Sequence, residues 1–281
     1  MSEFDTENLE IAPSESEISP IRPMARVVAV TSGKGGVGKT FVSANMAAAM
    51  ARQGLRVLVM DADLGLANLD VVLNLYPKIT LHDVFTGNAK IEEAIIEAPG
   101  GFAVMLAGSG MVEYSKLTSE VRSEFLNIMS KITPNYDIVI LDTGAGISDV
   151  VLFAVSLASE VIVVATPEPT SLTDAYATIK VLAGQQKRHV IRMVVNQTAR
   201  PGDGKAIASQ LQQVLDRFVV SSPGNEVRII HMGDIPADPA VRKAIMRRQL
   251  LILSNPACAA SIAITQIAQK VYQAAGSRPK D

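Results

Sequence analysis

The sequence predicts a doubly wound α/β domain, a mostly parallel sheet with helices on both faces. Two observations carry this. Short, continuous apolar runs rich in Val and Ile alternate with longer segments of helical pattern, as buried parallel strands and their crossovers require. A glycine-rich loop, Gly33-Lys34-Gly35-Gly36-Val37-Gly38-Lys39-Thr40, joins the first such run to the first helix.

Taken in order, Arg26–Thr31 is a β-branched strand that ends at the glycines. Phe41–Arg52 reads as a helix whose Ala44, Ala47, Ala48 and Ala51 are small enough for close packing on a sheet. Leu55–Met60 is the next strand, Gly101–Leu106 a further one, and Thr118–Lys131 a helix. Asp137–Leu141, Glu160–Ala165, Val190–Val195 and Val227–Met232 complete the strands. Helices are expected near Ser171–Ala183, Lys205–Phe218, Pro239–Arg248 and Pro256–Ala275. No internal repeat and no linker divides residues 24–276, so they are expected to form one domain, with a short tail at 277–281. Residues 1–23 are acidic and rich in Ser and Pro, and they read as a disordered arm.

Composition narrows the function classes. With 48% hydrophobic residues in 281, there is ample material for a core. No apolar run reaches the ~18 residues of a membrane-spanning helix, and no basic-then-apolar start suggests secretion. The single cysteine, Cys258, cannot form an internal disulfide and fits a reducing cytoplasm. It also excludes cluster-bearing electron-transfer relatives, which need several ligand cysteines. The three histidines lack metal-ligand spacing. The net charge of −2 hides an asymmetry. Residues 1–23 hold six acids against Arg22, which leaves 25 basic and 22 acidic side chains in the rest. That mildly basic body is no strong polyanion binder.

The glycine-rich loop carries the chemistry. Gly33 to Thr40 matches G-x-x-x-x-G-K-[ST] in full. Glycines let backbone N–H groups curl around phosphate oxygens, and the following helix adds the positive end of its dipole. Lys39 can reach β- and γ-phosphates, and the Thr40 hydroxyl can ligate Mg2+. The same stretch reads as G-x-G-x-x-G through Gly33, Gly35 and Gly38, so a dinucleotide loop is a rival. That loop has no use for Lys39-Thr40. The acid after the second strand is doubled, as Asp61 and Asp63, and Asp142 ends the apolar strand Ile138–Leu141, where a Mg2+-binding Walker B aspartate belongs. The combination favours a nucleoside triphosphate.

Lys34 through Thr40 resembles the deviant Walker A motif of the MinD/ParA ATPases, which carries a second lysine at the loop's start. The resemblance covers Arg26 to Ala275. Asp61 through Asp70 looks like that family's switch I, and Asp142-Thr143-Gly144-Ala145-Gly146 like its switch II. Pro167 through Tyr176 and Ile235 through Ala244 look most like the branch of flagellar number and placement regulators, FleN or FlhG.

The resemblance implies roles. Lys34 would cross the interface of an ATP-dependent homodimer and touch the partner's phosphates. Asp63 would orient the attacking water, and Asp61 would support Mg2+ through water. Asn196 would recognise adenine, with Pro236, Ala237 and Asp238 lining the other side of the base. The implied activity is slow, Mg2+-dependent hydrolysis of ATP, with charge stabilised by Lys34, Lys39 and the loop amides.

Three departures stand out. Gly144 replaces the more usual Pro or Ala, the arm lacks the Asp-Gln-Ala-type activator helix, and the chain lacks a basic amphipathic helix at its end. Pro256–Ala275 instead reads as packed on the core. A protein partner is therefore expected, either a flagellar transcription activator or an SRP-like GTPase, with any polar location set by that partner and no direct membrane anchor. Arg242, Lys243, Arg247 and Arg248 read as a solvated face. The alternative is a partition or positioning ATPase that acts on DNA or a cellular cargo.

Overall fold

A computed structural model describes residues 24–64, 68–108, 116–219 and 226–273. Its centre is an eight-stranded sheet. The strands in chain order are β1 (Arg26–Ser32), β2 (Val57–Ala62), β3 (Ile95–Ala98), β4 (Phe102–Met105), β5 (Ile138–Ala145), β6 (Glu160–Ala165), β7 (Val190–Thr198) and β8 (Arg228–Pro236). They lie in the order β3-β4-β2-β5-β1-β6-β7-β8. Only β3 runs antiparallel, beside β4. The helices are α1 (Lys39–Ala51), α2 (Leu69–Leu73), α3 (Leu81–Phe85), α4 (Ser119–Ile132), α5 (Asp149–Ser156), α6 (Pro169–Gln186), α7 (Asp203–Phe218), α8 (Pro239–Met246), α9 (Leu251–Ser254) and α10 (Ala259–Gln273).

Alternation along each strand divides the core into two layers. Val27 and Ala29 of β1, with Leu58 and Met60 of β2, pack toward α4, α5, α6 and α7. Val28 and Val30, with Val57 and Val59, face α1, α8, α9 and α10. Residues two apart share a face of a strand, so one seven-residue strand feeds both layers.

The alanines of α1 act as expected. Ala44, Ala47 and Ala48 have no exposed surface, and a Cβ on Gly100 would come within 2.8 Å of the Ala48 Cβ. On α10 the inner apolar face is buried, while Ile262 and Tyr272 stay 48% and 44% exposed. Ile264, Ala268 and Val271 are 0% exposed, and burying each large aliphatic side chain contributes about 1.5–3 kcal/mol.

Most elements stand where expected, with displaced ends. The Pro256–Ala275 segment is a correction in extent, since its helix begins only at Ala259. Asn255 and Cys258 belong to the preceding turn, where the Ser261 hydroxyl donates to the Asn255 carbonyl at 2.7 Å. The helix expected over Pro239–Arg248 ends at Met246, because Arg248 takes a left-handed φ of 51°. The arm at 1–23 and the tail at 277–281 lie outside the described residues, as do 65–67 of the switch I stretch.

β1 lies between β5 and β6, and its carboxyl end is the point from which connections run to opposite sides of the sheet. In such sheets ligands bind beyond the carboxyl ends of the strands at this switch point. The glycine-rich loop occupies that place.

Candidate functional site

The loop from Gly33 to Gly38 owes its path to absent side chains. A Cβ on Gly33 would lie 2.2 Å from the Asp174 carbonyl of α6, so the loop starts pressed against that helix. Gly36 and Gly38 have φ of 79° and 96°, in the region glycine enters freely. The backbone then enters α1 at Lys39, leaving the first N–H groups of the helix pointing out of its end.

Under this loop lies a buried polar cluster. Parallel pairing sets Asp61 of β2 opposite Asp142 of β5, and Asp142 opposite Val30 of β1. Both carboxylates point to the α1 side of the sheet and are 1% and 2% exposed. Burial, then the charge of Asp142, pushes the Asp61 carboxyl well above the usual carboxylate range. The backbone N–H groups of Asp63 and Leu69, at 3.1 and 3.4 Å, pull it back.

Asp142 is pushed up to about 6 by burial, against the Thr40 and Ser43 hydroxyls and the Lys39 charge, with Asp63 adding repulsion. The Ser43 hydroxyl donates to Asp142 Oδ1 at 2.9 Å. Lys39 is itself buried. Desolvation lowers its ammonium, and the charges of Asp142 and Asp63 hold it up.

This donor set fits a small divalent cation. Two buried carboxylates side by side, with a hydroxyl at Thr40, form a hard oxygen environment of the kind Mg2+ takes. Both carboxyls are raised, chiefly by burial. The cradle fits phosphate, because Gly35 and Gly36 leave open space where a Cβ would stand.

Asp63 follows β2 and is partly exposed. A Cβ on Gly144 would come within 3.3 Å of the Asp63 carboxyl, so the absent side chain leaves room for it. The backbone of the switch II segment is tied to β1, since the Gly146 N–H donates to the Ser32 carbonyl at 2.8 Å.

Lys34 lies at the rim. Its Nζ donates to Glu168 Oε2 at 2.9 Å and to Thr170 Oγ1 at 3.0 Å within the same chain. Glu168 caps α6 and Pro169 is the first helical residue there, where its missing N–H is no loss.

Asn196 is buried at the end of β7. Its Nδ2 donates to the Val37 carbonyl at 2.8 Å, and its Oδ1 accepts from the Gln197 N–H at 2.9 Å. It thus clasps the glycine-rich loop, and one amide hydrogen and one lone pair remain for a ligand. Beside it opens a cleft of about 350 Å³, in which Pro236, Ala237 and Asp238 meet Gly36, Gly38 and Phe41. The Asp238 carboxylate is engaged in capping α8, where it accepts from the Ala240 N–H at 2.8 Å.

The structure therefore gathers Gly33 to Thr40, Asp61, Asp63 and Asp142 in one place, with Asn196 and Pro236–Asp238 on its flank. Sequence reading missed Ser43, Glu168 and Thr170 as polar partners, and Phe41, Gln197 and Arg242 as cleft walls. Ser43 stands three residues after Thr40, one helical turn on, which is a usable signal. The cleft walls come from three distant segments and left none.

A family model described as an AAA domain matches residues 25–193. The antiactivator FleN of Pseudomonas aeruginosa is 41% identical over 88% of this chain and 86% of its own length. The flagellum site-determining protein YlxH of Helicobacter pylori is 32% identical, over 86% of this chain and 80% of its own. A solved structure of the septum site-determining protein MinD of Pyrococcus horikoshii, complexed with Mg-ADP, matches with a TM-score of 0.74 at 27% identity. That match covers 92% of this chain and all of the other.

Proposed function

The chain belongs to the MinD/ParA-type ATPases, and on that premise we propose that it is an ATP-driven switch that sets flagellar number or placement. The observation that carries the reading is the buried Lys39 beneath a glycine cradle, with Asp61 and Asp142 in register behind it. Lys39 and the loop amides hold the β- and γ-phosphates of ATP. Thr40, Asp61 and Asp142 would hold Mg2+, which neutralises phosphate charge when bound. The cleft beside Asn196 and Pro236–Asp238 takes the adenine.

Asp63 orients a water for in-line attack on the γ-phosphorus. The bond to the β–γ bridging oxygen breaks, and ADP and phosphate leave. Lys34 reaches the phosphates of a second copy, so the ATP form is a dimer, the ADP form a monomer, and turnover is slow. A relative named as an antiactivator and another named for flagellum siting support an output through a protein partner, a flagellar transcription activator or an SRP-like GTPase. That partner also sets any polar location. No helix of the described residues is long and apolar enough to cross a membrane.

A second reading, a positioning ATPase that acts on DNA, draws support from the exposed bases of α8. The test of the main reading is phosphate release with ATP and Mg2+, measured across a range of protein concentrations. Activity per molecule should rise with concentration and vanish in Lys39→Ala. Activity that ignores both would overturn it.

A further inference from the structure

Among the described residues, Asn74, Lys187, Gln197 and Arg248 are the non-glycine positions with a left-handed φ. Three have an evident reason. Asn74 and Lys187 cap the carboxyl ends of α2 and α6, and Arg248 follows the last turn of α8, where helices commonly end in this conformation. Gln197, with a φ of 61°, stands inside strand β7. A long side chain in that region is strained, and such strain persists only where the surroundings impose it.

Gln197 forms a bulge. Asn196 pairs with Ile235 and Thr198 with Pro236, so Gln197 is left without an opposite residue on β8. Adjacent residues of a regular strand face opposite sides of the sheet, yet Asn196 and Gln197 both border the same cleft. Pairing resumes beyond the bulge, where the Ala237 N–H donates to the Thr198 carbonyl at 2.9 Å. The bulge thereby sets the spacing between the two walls, Asn196 on one side and Pro236–Ala237 on the other.

It also acts on Asn196 directly. The Gln197 N–H donates to Asn196 Oδ1, while Asn196 Nδ2 donates to the Val37 carbonyl. A backbone N–H can only donate and a carbonyl can only accept, so these partners admit one orientation of the amide. Gly38 closes on the same group, since a Cβ there would stand 2.5 Å from Nδ2. The amide hydrogen and lone pair left for a ligand are offered in a fixed order, the donor on the loop side and the acceptor on the β7 side.

We propose that Gln197 is a positioning residue for base specificity: its bulge fixes the Asn196 amide so that the cleft accepts adenine and rejects guanine. This rests on the reading of the cleft as the nucleotide site. On its pairing edge adenine carries a donor at N6 beside an acceptor at N1. Guanine carries the reverse, an acceptor at O6 beside a donor at N1. An amide free to turn over could serve either base. A locked one serves a single order, and the wrong base leaves buried polar groups unpaired. The backbone supplies the lock. Glycine would preserve it, whereas a β-branched residue, for which a left-handed φ is least accessible, would release it.

Calorimetric titration of the full chain with ATP, GTP, ITP and inorganic tripolyphosphate tests this. ITP has the O6 and N1–H of guanine without its 2-amino group. The parent should prefer ATP over both GTP and ITP by about tenfold or more. Gln197→Val should bring both preferences close to unity and still bind tripolyphosphate like the parent, because the phosphate cradle is untouched. Gln197→Thr repeats the test if the Val chain fails to bind tripolyphosphate. Gln197→Gly should keep the preferences. A residue that merely supported the fold would alter the melting temperature, or the affinity for every nucleotide, and leave the ratios alone. Parent-like ratios in the β-branched variants would overturn the proposal. So would lost preference in Gln197→Gly, which would assign base reading to the side chain. ITP bound as tightly as ATP by the parent would also overturn it, because bulk at the 2-position would then be what excludes GTP. If the parent binds tripolyphosphate and all three nucleotides alike, the cradle stands and the proposal falls. If it binds neither ATP nor tripolyphosphate, the reading of the site itself fails.

Discussion

Lys34 and Glu168 stand 2.9 Å apart, on the two loops that follow β1 and β6, and both side chains remain open to solvent at 38% and 61%. The lysine that would reach into a second copy is thus held by its own chain. An exposed pair of this kind is worth about 0–1 kcal/mol, weak enough to exchange for a phosphate. Glu168→Gln should therefore lower the protein concentration needed for ATP-dependent dimers, by no more than about fivefold. Light scattering with ATP and Mg2+ measures it, and an unchanged or raised threshold would show that the pair does not restrain Lys34.

Lys34→Ala should separate two properties that Lys39 joins. Monomeric ATP binding survives, because Lys39 and the loop amides are untouched. Dimerisation and hydrolysis are lost. Calorimetry beside scattering reads both, and hydrolysis at the parent rate would exclude a role across an interface.

Lys39→Ala should abolish nucleotide binding. Among the described residues the ammonium lies buried beneath the cradle near Asp142 and Asp63, and its removal leaves their carboxylates facing the phosphates without it. Parent-like ATP affinity would refute the loop assignment.

Asp63→Ala should retain ATP, lose hydrolysis and accumulate the dimer. The side chain lies beside Gly144 and outside the buried Asp61–Asp142 pair, so the fold tolerates its removal. A variant that hydrolyses ATP at the parent rate would remove Asp63 from the reaction.

Gly38→Ala should fail for geometric reasons. Its φ is 96° and a Cβ would stand 2.5 Å from Asn196 Nδ2. Left-handed strain in a non-glycine residue costs about 1–3 kcal/mol. Displacement of Asn196 also frees the loop from β7. A melting curve should shift down and nucleotide affinity should fall together, whereas unchanged values in both would mean that the clasp is dispensable.

The frame was legible because each chemical residue follows an apolar run whose length marks a strand. Asp61 and Asp142 needed only the ends of β2 and β5. β3 and α5 were missed for different reasons. Ile95–Ala98 is four residues with one charge, too short for a period, although Pro99-Gly100-Gly101 after it is a turn signal. Asp149–Ser156 is apolar on every side but its ends, so no stripe shows, and its start was marked only by Ser148 capping the Val151 N–H. The Lys34–Glu168 pair spans 134 positions. Contacts of that range depend on which loops the topology brings together, which no local pattern encodes.

The side-by-side placement of Asp61 and Asp142 also bears on how the chain reaches its native state. A one-residue slip of β2 along β5 would turn Asp61 to the opposite face of the sheet, among Val139, Leu141 and the helices beyond. Such a molecule would keep much of its secondary structure but lose the paired carboxylates proposed to hold the cation. If Mg-nucleotide is held as proposed, it would bind only the correct pairing, and by mass action it would withdraw molecules from every slipped alternative. The ligand would thereby proofread strand alignment during folding, and refolding yield should rise when Mg-ADP is present from the first moment of dilution.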